Sequence, residues 1–271
     1  MGLKEMKPWR AEVVFNDRLN SSAYALGLKP LEKIKKACPG QFYMLKVSRH
    51  PDPLLRRPFS HCRLINDGDF ECLELIYEVK GKGTEILSRL EHGEVISLIG
   101  PLGKGFSFMD DKVQVIMVAG GMGVVPLFSL LDSLAEDARV KSIDFIWGVK
   151  TRENFFRLDE LKGPGLKIHL VTEDGSYGQR GMATDILNQV FRECPDMPVQ
   201  VFACGPKDMF KEIAELARGD KMLCQFSMEE RMACGFGACL GCALPARSGG
   251  YLHVCKDGPV FDANQIDWNL I

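Results

Sequence analysis

The chain has 271 residues, a formal net charge of -2 and 26% charged residues. This length allows two or three domains, because single hydrophobic cores stop growing near about 250–300 residues. The near-neutral charge gives no electrostatic reason to expect nucleic acid or an anionic membrane as a partner.

Ten cysteines raise the alternative of a secreted disulfide scaffold. The charged start at residues 1–7 leads into no apolar run of signal-peptide length, and the cysteines are concentrated near one end of the chain. We therefore expect a cytoplasmic protein. The apolar stretch 113–131 approaches the length of a membrane span, but its central glycines and Pro126 predict a strand, a turn and a helix instead.

The first hundred residues predict an all-β barrel or sandwich, because short runs rich in Val, Ile, Phe and Tyr alternate with turn residues, and we expect an antiparallel β-barrel. The predicted strands are 12–15, 22–28, 42–47, 59–65, 72–79 and 95–99. A short helix is predicted at 84–90, where Ile86, Leu87 and Leu90 share one face.

From about residue 112 the pattern changes to a strand–helix alternation, which predicts a doubly wound parallel α/β domain. The predicted strands are 113–118, 142–147, 167–171 and 199–203, and the predicted helices are 125–134, 153–161, 183–192 and 207–217. From residue 223 onward the sequence is rich in cysteine and glycine with little periodicity. We predict three domains, at 1–110, 111–223 and 224–271.

The C-terminal domain carries Cys234, Cys239, Cys242 and Cys255. The spacing C-x4-C-x2-C followed by a distant fourth cysteine is that of plant-type 2Fe–2S sites. The residues between the ligands are mostly glycine and alanine, so the backbone can wrap a cluster closely and direct N–H groups at its sulfurs. The sequence therefore predicts an electron-transfer protein.

Packing thiols and a zinc site are the alternatives for these cysteines. A zinc site more often shows paired C-x2-C motifs or cysteine with histidine. The other six cysteines are scattered, and most are expected to be buried hydrophobes.

A glycine-rich turn containing Gly120, Gly121 and Gly123 follows the first predicted parallel strand. A dinucleotide pyrophosphate binds at such a turn, although Pro126 stands where the third glycine of the Rossmann pattern would fall. A plain strand–helix turn is the alternative.

Two further loops are predicted at the same edge of the sheet. Glu173 and Asp174 follow one strand, where their carboxylates would accept hydrogen bonds from a ribose and repel a 2′-phosphate, or form a solvated turn. Cys204 and Gly205 follow another strand, and Cys204 either lines a nicotinamide site or ends the strand.

The predicted barrel contains two short motifs, Arg57-Pro58-Phe59-Ser60 before a strand and Gly83-Thr84 at the start of the short helix. An arginine, a hydroxyl and a helix N-terminus can hold a pyrophosphate. Each motif is also common by chance.

Together, and in this order, these motifs resemble the ferredoxin–NADP reductase superfamily, in which a barrel binds FAD and an α/β domain binds the nicotinamide nucleotide. The tail, with 230–239 and 254–261, resembles the family of electron-transfer subunits of dihydroorotate dehydrogenase B. The resemblance covers essentially the whole chain, and the tail is its most specific part.

The resemblance implies a separate FMN-containing catalytic subunit that oxidises dihydroorotate, in a heterotetramer of two plus two. Electrons would pass through the 2Fe–2S cluster and FAD to NAD+, in pyrimidine biosynthesis. It also implies which barrel residues contact FAD: Arg57, Pro58, Phe59, Ser60, Ile76, Tyr77, Glu78, Gly83 and Thr84. No catalytic acid or base is assigned, because the cofactors carry the chemistry.

Two alternatives remain open on the sequence. One is a reductase subunit of a hydrogenase or of a ferredoxin–NAD(P) oxidoreductase, built from the same three modules. The other is a non-enzymatic regulator that senses redox state or iron through its cluster and binds no FAD.

Overall fold

The computed structural model describes residues 7–48, 50–66, 71–109, 113–134, 137–163, 165–194, 198–218 and 222–271. Most of the charged N-terminal start therefore lies outside the described residues. Within these ranges, no helix has both the length and the apolar character needed to cross a membrane.

Seven antiparallel strands form the first sheet, which confirms the predicted N-terminal β-barrel. Their order in the sheet is β4-β3-β7-β1-β2-β6-β5. The strands are β1 (Trp9–Arg18), β2 (Ala23–Pro30), β3 (Phe42–Lys46), β4 (Arg57–Ser60), β5 (Arg63–Asn66), β6 (Glu71–Glu78) and β7 (Val95–Leu102). The short helix α1 (Lys82–Leu87) follows β6.

The barrel strands form because alternate side chains are apolar and point into one core. In β1, Trp9, Ala11 and Val13 are buried while their neighbours are more exposed. The predicted strand 59–65 is two strands, because the chain leaves the sheet at His61 and Cys62 between β4 and β5.

The second sheet is parallel in β11-β10-β9-β8-β12-β13, with the antiparallel strand β16 at its edge. It contains β8 (Val113–Gly120), β9 (Val140–Val149), β10 (Leu166–Thr172), β11 (Gln179–Arg180), β12 (Val199–Cys204), β13 (Met222–Ser227) and β16 (Val260–Asp262). The helices are α2 (Val124–Leu134), α3 (Ala183–Glu193) and α4 (Lys207–Leu216).

Apolar residues cover both faces of this sheet, which is why its central strands read as continuous apolar runs. Helix α2 packs on one face around Phe128 and Trp147. Helices α3 and α4 pack on the other face around Leu187 and Phe210. The predicted doubly wound α/β domain is confirmed.

The predicted helix 153–161 is wrong. This segment forms two 3-10 turns, Arg152–Asn154 and Leu158–Glu160, separated by Arg157 in the left-handed region at φ 51° and ψ 36°. Its Phe155 and Phe156 both pack against Trp147 instead of lying along one helix face. Tertiary contacts therefore override the helical pattern.

The C-terminal residues are joined to the sheet. Strand β13 pairs with β12 and extends the sheet across the predicted boundary at residue 223. Strand β16 pairs with β13, and a small hairpin of β14 (Ala243–Pro245) and β15 (Tyr251–His253) lies between them in the chain. The boundaries of the three predicted domains, after residues 110 and 223, remain predictions.

The segment between barrel and sheet is held by two buried glutamines. The side chain of Gln200 accepts from the N–H of Met109 at 3.1 Å and donates to the carbonyl of Ser107 at 2.9 Å. Gln225 accepts from the N–H of Ser107 at 2.9 Å and donates to its hydroxyl. Through these hydrogen bonds the two side-chain amides attach the segment around Ser107 and Met109 to the sheet.

Candidate functional site

A cleft of about 270 Å³ lies where barrel, sheet and C-terminal residues meet. Its barrel wall includes Ser60 and Tyr77, and Met122 and Val125 come from the turn and helix after β8. Met232 and its neighbours close the third side. The cleft has the size of a ring system, and its lining mixes apolar side chains with a few polar groups, as cofactor sites do.

The structure brings six of the nine residues of the predicted flavin site to this cleft. They come from β4 and from the end of β6, whose ends lie side by side: Pro58, Phe59, Ser60, Ile76, Tyr77 and Glu78. The ring of Tyr77 stacks on Tyr24 and meets Phe59 edge-on, while its hydroxyl donates to Asn16 at 3.0 Å. Tyr77 therefore has a structural role in addition to lining the cleft.

The other three residues of the predicted flavin site lie together. Arg57 begins β4, and Gly83 and Thr84 lie at the start of α1. The guanidinium Nε of Arg57 lies 3.4 Å from where a Cβ on Gly83 would stand. The hydroxyl of Thr84 accepts from the N–H groups of Lys80 and Gly81 at 3.0 and 3.3 Å, and so shapes the turn before α1. Arg57 donates through Nη1 to the carbonyl of Leu55 at 2.8 Å, and it forms no ion pair with any described residue.

The C-terminal wall of the cleft was missed by the sequence reasoning. It is formed by Ser227 at the end of β13 and by the residues that follow it, Met228, Glu229, Glu230 and Met232. Desolvation raises the pKa of Glu229, and the charge of Lys80 opposes that shift. The sequence reasoning did not predict strand β13. Recognising it as a parallel strand would have placed the residues after it at the carboxyl edge of the sheet.

The predicted nucleotide loops flank the point where the strand order reverses. Strand β8 has β9 on one side and β12 on the other, and ligands of open α/β sheets bind at such a switch point. A Cβ on Gly123 would stand 2.0 Å from the carbonyl oxygen of Cys204, and one on Gly120 would stand 2.6 Å from Pro206. These glycines therefore let the two loops approach each other, a packing reason that the sequence did not reveal.

The other groups at this edge are also fixed. The indole of Trp147 donates to the carbonyl of Gly121 at 3.0 Å, and Gly121 has φ +56°. Cys204 is buried and, with burial as the main cause, the pKa of its thiol is raised. Its contact with nicotinamide, like those of Gly120, Gly121, Gly123 and Gly205 with the nucleotide, remains a prediction.

The acidic loop after β10 is ordered by its own hydrogen bonds. Asp174 accepts from the N–H and the hydroxyl of Ser176 at 2.9 and 2.6 Å, and these bonds lower the pKa of its carboxyl. The hydroxyl of Ser176 also accepts from the N–H of Arg152 at 2.9 Å. The loop keeps its carboxylates at the carboxyl edge, where a ribose contact remains a prediction.

The cysteine loop directs backbone N–H groups at sulfur. Gly235 and Gly237 have φ near +84° and +85°, which alternates the peptide direction along the loop. The N–H groups of Phe236, Ala238 and Cys239 lie 3.3–3.5 Å from Cys234 Sγ. These donors outweigh desolvation and lower the pKa of the Cys234 thiol to about 6.

Of the other predicted ligands, Cys242 and Cys255 are paired and buried, while Cys239 is exposed. Cys242 Sγ and Cys255 Sγ lie 3.2 Å apart, and the N–H of Gly237 reaches Cys255 Sγ at 3.0 Å. Burial and the neighbouring thiol raise the pKa of Cys255. All ten cysteines are free thiols, so the disulfide scaffold has no support here.

The donor set fits a two-iron cluster better than a single zinc ion. Cys242 Sγ and Cys255 Sγ form one close pair, and the backbone N–H of Cys239 lies 3.4 Å from Cys234 Sγ, an arrangement that suits the two-by-two ligation of a 2Fe–2S cluster. Among the described residues, no three Cys, His, Asp or Glu side chains converge on one metal position. The backbone N–H of His253 donates to Asp257, and the imidazole lies 3.5 Å from the same carboxylate.

The cysteine loop and the cleft are neighbours. Met232 lines the cleft and Cys234 follows two residues later, a backbone span of at most about 7 Å. Met44 on β3 is fully buried and lies 2.6 Å from where a Cβ on Gly235 would stand, while Phe42 on the same strand lines the cleft. One core therefore connects both sites.

Comparisons with known proteins agree with this arrangement. Residues 229–267 match the iron–sulfur cluster binding domain of dihydroorotate dehydrogenase B, and residues 117–215 match an oxidoreductase NAD-binding domain. The electron transfer subunit of dihydroorotate dehydrogenase B (NAD(+)) from Caldanaerobacter subterraneus subsp. tengcongensis is 37% identical over 95% of this chain and 97% of its own. The subunit of that name from Geobacillus thermodenitrificans is 36% identical over 95% and 97%.

Solved structures share the fold. An NADH-dependent reduced ferredoxin–NADP oxidoreductase, studied for flavin-based electron bifurcation, has a TM-score of 0.81 and 26% identity over 96% of this chain and 90% of its own. A ferredoxin NADP+ reductase from Neisseria gonorrhoeae with bound FAD and NADP has a TM-score of 0.67 at 15% identity, over 83% and 100%, which shows the fold alone.

Fold and site together define an oxidoreductase subunit for electron transfer, with an iron–sulfur domain and an NAD-binding domain. The comparisons confirm the three predicted cofactors, FAD, a 2Fe–2S cluster and NAD. The chain belongs to the family of electron transfer subunits of dihydroorotate dehydrogenase B.

Proposed function

We propose that this chain takes electrons from a partner subunit that oxidises dihydroorotate to orotate, and delivers them to NAD+. The observation that carries the proposal is the two-residue separation between the cleft wall at Met232 and the cluster ligand Cys234. A relay needs its carriers close together, and the C-terminal segment forms a wall of one site and a ligand of the other.

When bound, the cluster and the flavin supply the conversion between single electrons and the electron pair that NAD+ accepts. The chain's own residues bind, orient and shield these groups. Cys234, Cys239, Cys242 and Cys255 hold the cluster, and the backbone N–H groups around them offset the charge on sulfur.

For the flavin, we assign the ring system to the cleft and the pyrophosphate to Arg57, Gly83 and Thr84. Ser60 offers a hydroxyl in the cleft, and Arg57 offers a guanidinium without a carboxylate partner among the described residues. Gly83 lies next to this guanidinium, since a Cβ there would stand 3.4 Å from Nε of Arg57. The nucleotide is assigned to the loops of Gly120–Gly123 and Cys204-Gly205.

The setting of the reaction follows from the same proposal. Ten free thiols suit a reducing cytoplasm, where pyrimidine biosynthesis would use the chain. A heterotetramer with two catalytic subunits is the expected assembly, which the mass of the purified complex tests.

The test is reconstitution of the full-length chain with the FMN-containing catalytic subunit of a class B dihydroorotate dehydrogenase. We expect dihydroorotate to reduce NAD+ only when both subunits are present, measured as NADH absorbance near 340 nm. A complex that forms and yet transfers nothing from dihydroorotate contradicts the proposal. A purified chain without flavin absorbance contradicts it as well and would favour the regulator.

A second candidate function is oxidation of reduced ferredoxin. It is favoured by the similarity to the reduced ferredoxin–NADP oxidoreductase over 96% of this chain. Supplying reduced ferredoxin instead of dihydroorotate and the catalytic subunit separates the two. NADH formed from ferredoxin at a comparable rate would favour the second candidate.

A further inference from the structure

The segment between β9 and β10 has an unexpected backbone. Arg157, between its two 3-10 turns, adopts the left-handed conformation at φ 51°, which side chains other than those of glycine, asparagine and aspartate rarely adopt. Strain of this kind persists where surrounding contacts hold the residue in place. The shortest ionic contact of Arg157 crosses to the other large domain.

The guanidinium of Arg157 crosses to the barrel. Its Nη2 lies 2.6 Å from Oε1 of Glu74, a side chain with 0% exposure on β6. No described donor makes a well-aligned hydrogen bond to either oxygen of Glu74, so this ion pair is its closest compensation. Because a buried carboxylate without a countercharge is costly, Glu74 and Arg157 depend on each other.

A second arginine makes a similar connection, but here the arginine lies in the barrel and its acidic partners lie in the α/β domain. Arg63 on β5 lies 2.5 Å from Glu160 and 3.2 Å from Asp132 on α2, and its guanidinium stands over the ring of Phe128. Glu160 also lies 3.3 Å from Nε of Arg157. We call these five charged residues the interdomain ion cluster: Arg63, Glu74, Asp132, Arg157 and Glu160.

The ion cluster is joined to both proposed cofactor sites. On the barrel side, Glu74 is two and three residues before Ile76 and Tyr77, which line the cleft. On the sheet side, Arg157 follows Phe155 and Phe156, which pack on Trp147. Since the indole of Trp147 donates to Gly121, the same segment supports the nucleotide loop.

The start of the segment reaches the ribose side of the nucleotide edge. The N–H of Arg152 donates to Ser176, and its guanidinium stands 5.3 Å from the ring centre of Tyr177. The segment therefore runs from the nucleotide loops at one end to the barrel at the other. A shift of Arg157 would displace one site relative to the other.

We propose that Glu74 and Arg157 are positioning residues for hydride transfer between the nicotinamide nucleotide and the flavin. The inference rests on the proposed binding of the two cofactors to the two domains. The reaction moves one hydride, two electrons with a proton, between NADH and oxidised flavin, and neither residue exchanges a proton or electron in it. Their ion pair sets the distance across which the hydride moves.

The test uses the full-length chain with FAD and its cluster, and NADH as the reductant. In Glu74→Gln, we expect the stopped-flow rate constant for flavin reduction to fall about 10- to 100-fold, because a displacement near 1 Å costs that much in a near-attack geometry. The dissociation constant of NADH, the FAD content and the cluster spectrum should stay within about twofold. Arg157→Lys keeps the positive charge, so its rate constant for flavin reduction should fall less than that of Glu74→Gln.

The matched control is Glu71→Gln, on the same strand. Glu71 pairs with Lys36 within the barrel, and both side chains are largely exposed. This variant should reduce its flavin at the wild-type rate. A fall as large as that of Glu74→Gln would overturn the proposal.

A double variant separates positioning from folding. Glu74→Leu with Arg157→Met removes both charges, so no uncompensated buried charge remains and thermal stability should return towards wild type. Flavin reduction should remain slow, and backbone amides of 152–160 should exchange with deuterium faster while those of β6 do not. A wild-type reduction rate in the double variant would overturn the proposal.

Failure of the proposed function gives a different pattern. NADH reduces the flavin without any partner subunit, so an inactive reconstitution with dihydroorotate leaves this test intact. If the chain binds no flavin, the hydrogen exchange of 152–160 still reports whether the ion pair holds the segment. Unchanged exchange there would overturn the positioning role by itself.

Discussion

The parallel sheet and the cysteine loop share one hydrophobic core but hold their backbones in different ways. In the sheet, every strand from β8 to β13 pairs with a neighbouring strand, and helices cover both faces. In the loop at 234–242, four N–H groups point at cysteine sulfur and no regular element is present, and the N–H of Cys255 adds a fifth such donor.

The difference teaches that the two regions depend on different partners. The sheet is stabilised by apolar burial and needs nothing from outside the chain. The loop concentrates thiols and left-handed glycines, which favour order when the sulfurs are bound to a common group. Changes in one region should therefore leave the other in place, and four substitutions test this.

The largest effect is expected from Cys242→Ser in the loop. Cys242 is 1% exposed and lies 3.2 Å from the sulfur of Cys255, so the substitution removes one of the four proposed ligands. We expect complete loss of the cluster, measured by iron content and visible circular dichroism. Thermal unfolding of the barrel and sheet should shift little.

Cys38→Ser is the control for this change, because Cys38 is exposed and outside the loop. It should retain full iron content. Retention of the cluster in Cys242→Ser would refute the assigned ligand set, and global unfolding would show that the sheet depends on the loop.

The next effect is expected from Gly123→Ala in the sheet. The new Cβ would meet the carbonyl oxygen of Cys204 at 2.0 Å, and backbone atoms on both sides must move. Overpacking of this kind costs about 3 kcal/mol in the free energy of unfolding. Chemical denaturation checks this, and the cluster spectrum of the folded protein should be unchanged.

Gly163→Ala provides the comparison, since nothing lies within 4 Å of its Cβ position. Its free energy of unfolding should stay within about 0.5 kcal/mol of wild type. Equal stability of both variants would show that the two loops are looser than their contact indicates.

A smaller effect is expected where the loop touches the barrel, in Gly235→Ala. Gly235 has φ +84°, and its Cβ would stand 2.6 Å from Met44. The left-handed conformation and this contact together cost about 2 kcal/mol locally. We expect the cluster to be lost to a chelator about 10- to 30-fold faster, followed by bleaching of the visible absorbance.

The matched variant is Gly249→Ala. Gly249 has φ +88°, but nothing lies within 4 Å of its Cβ position. It reports the backbone cost without the contact, and its cluster should be retained at close to the wild-type rate. Equal rates in the two variants would remove Met44 from the explanation.

The smallest effect concerns Glu229, where the chain leaves the sheet for the loop. Desolvation raises its pKa above the usual value near 4.5. Its stabilising contribution is therefore full below that value and is lost as the pH rises through the raised folded pKa. In protein freed of FAD, Glu229→Gln should match wild type near pH 4 and exceed its Tm by less than about 1 °C at pH 7, because the exposed side chain of Glu229 is largely screened by solvent.

Lys80 allows a check on the direction of the Glu229 shift, because its positive charge opposes the rise in the pKa of Glu229. Lys80→Met should enlarge the difference between Glu229→Gln and wild type at pH 7. A Tm difference that shrinks as the pH rises would contradict the assigned direction.

Much of the fold was accessible from the sequence because its signals are local. Apolar runs predicted β8, β9, β10 and β12 but not the two-residue strand β11, and the spacing of four cysteines predicted a ligand set that stays a prediction. The wrong helix at 153–161 shows where local signals end. Its pattern suited a helix, but Trp147 and Glu74 hold Phe155 and Arg157 in another conformation.

Strand β13 and the cleft wall that follows it show the same limit. Met222–Ser227 is short, and it becomes a strand because β12 and β16 lie on either side of it. That placement brings Glu229 and Met232 to the cleft. No periodicity in six residues predicts such neighbours.

By itself, the sequence determined the barrel, the doubly wound sheet and the four cysteines, because side-chain periodicity and ligand spacing are properties of adjacent residues. The tertiary structure alone decided how the regions meet. It placed Met232 on the cleft wall beside a cluster ligand, set Gly123 against Cys204, and buried Glu74 against Arg157. These contacts join residues far apart in the chain, so their energy exists only once the domains have packed.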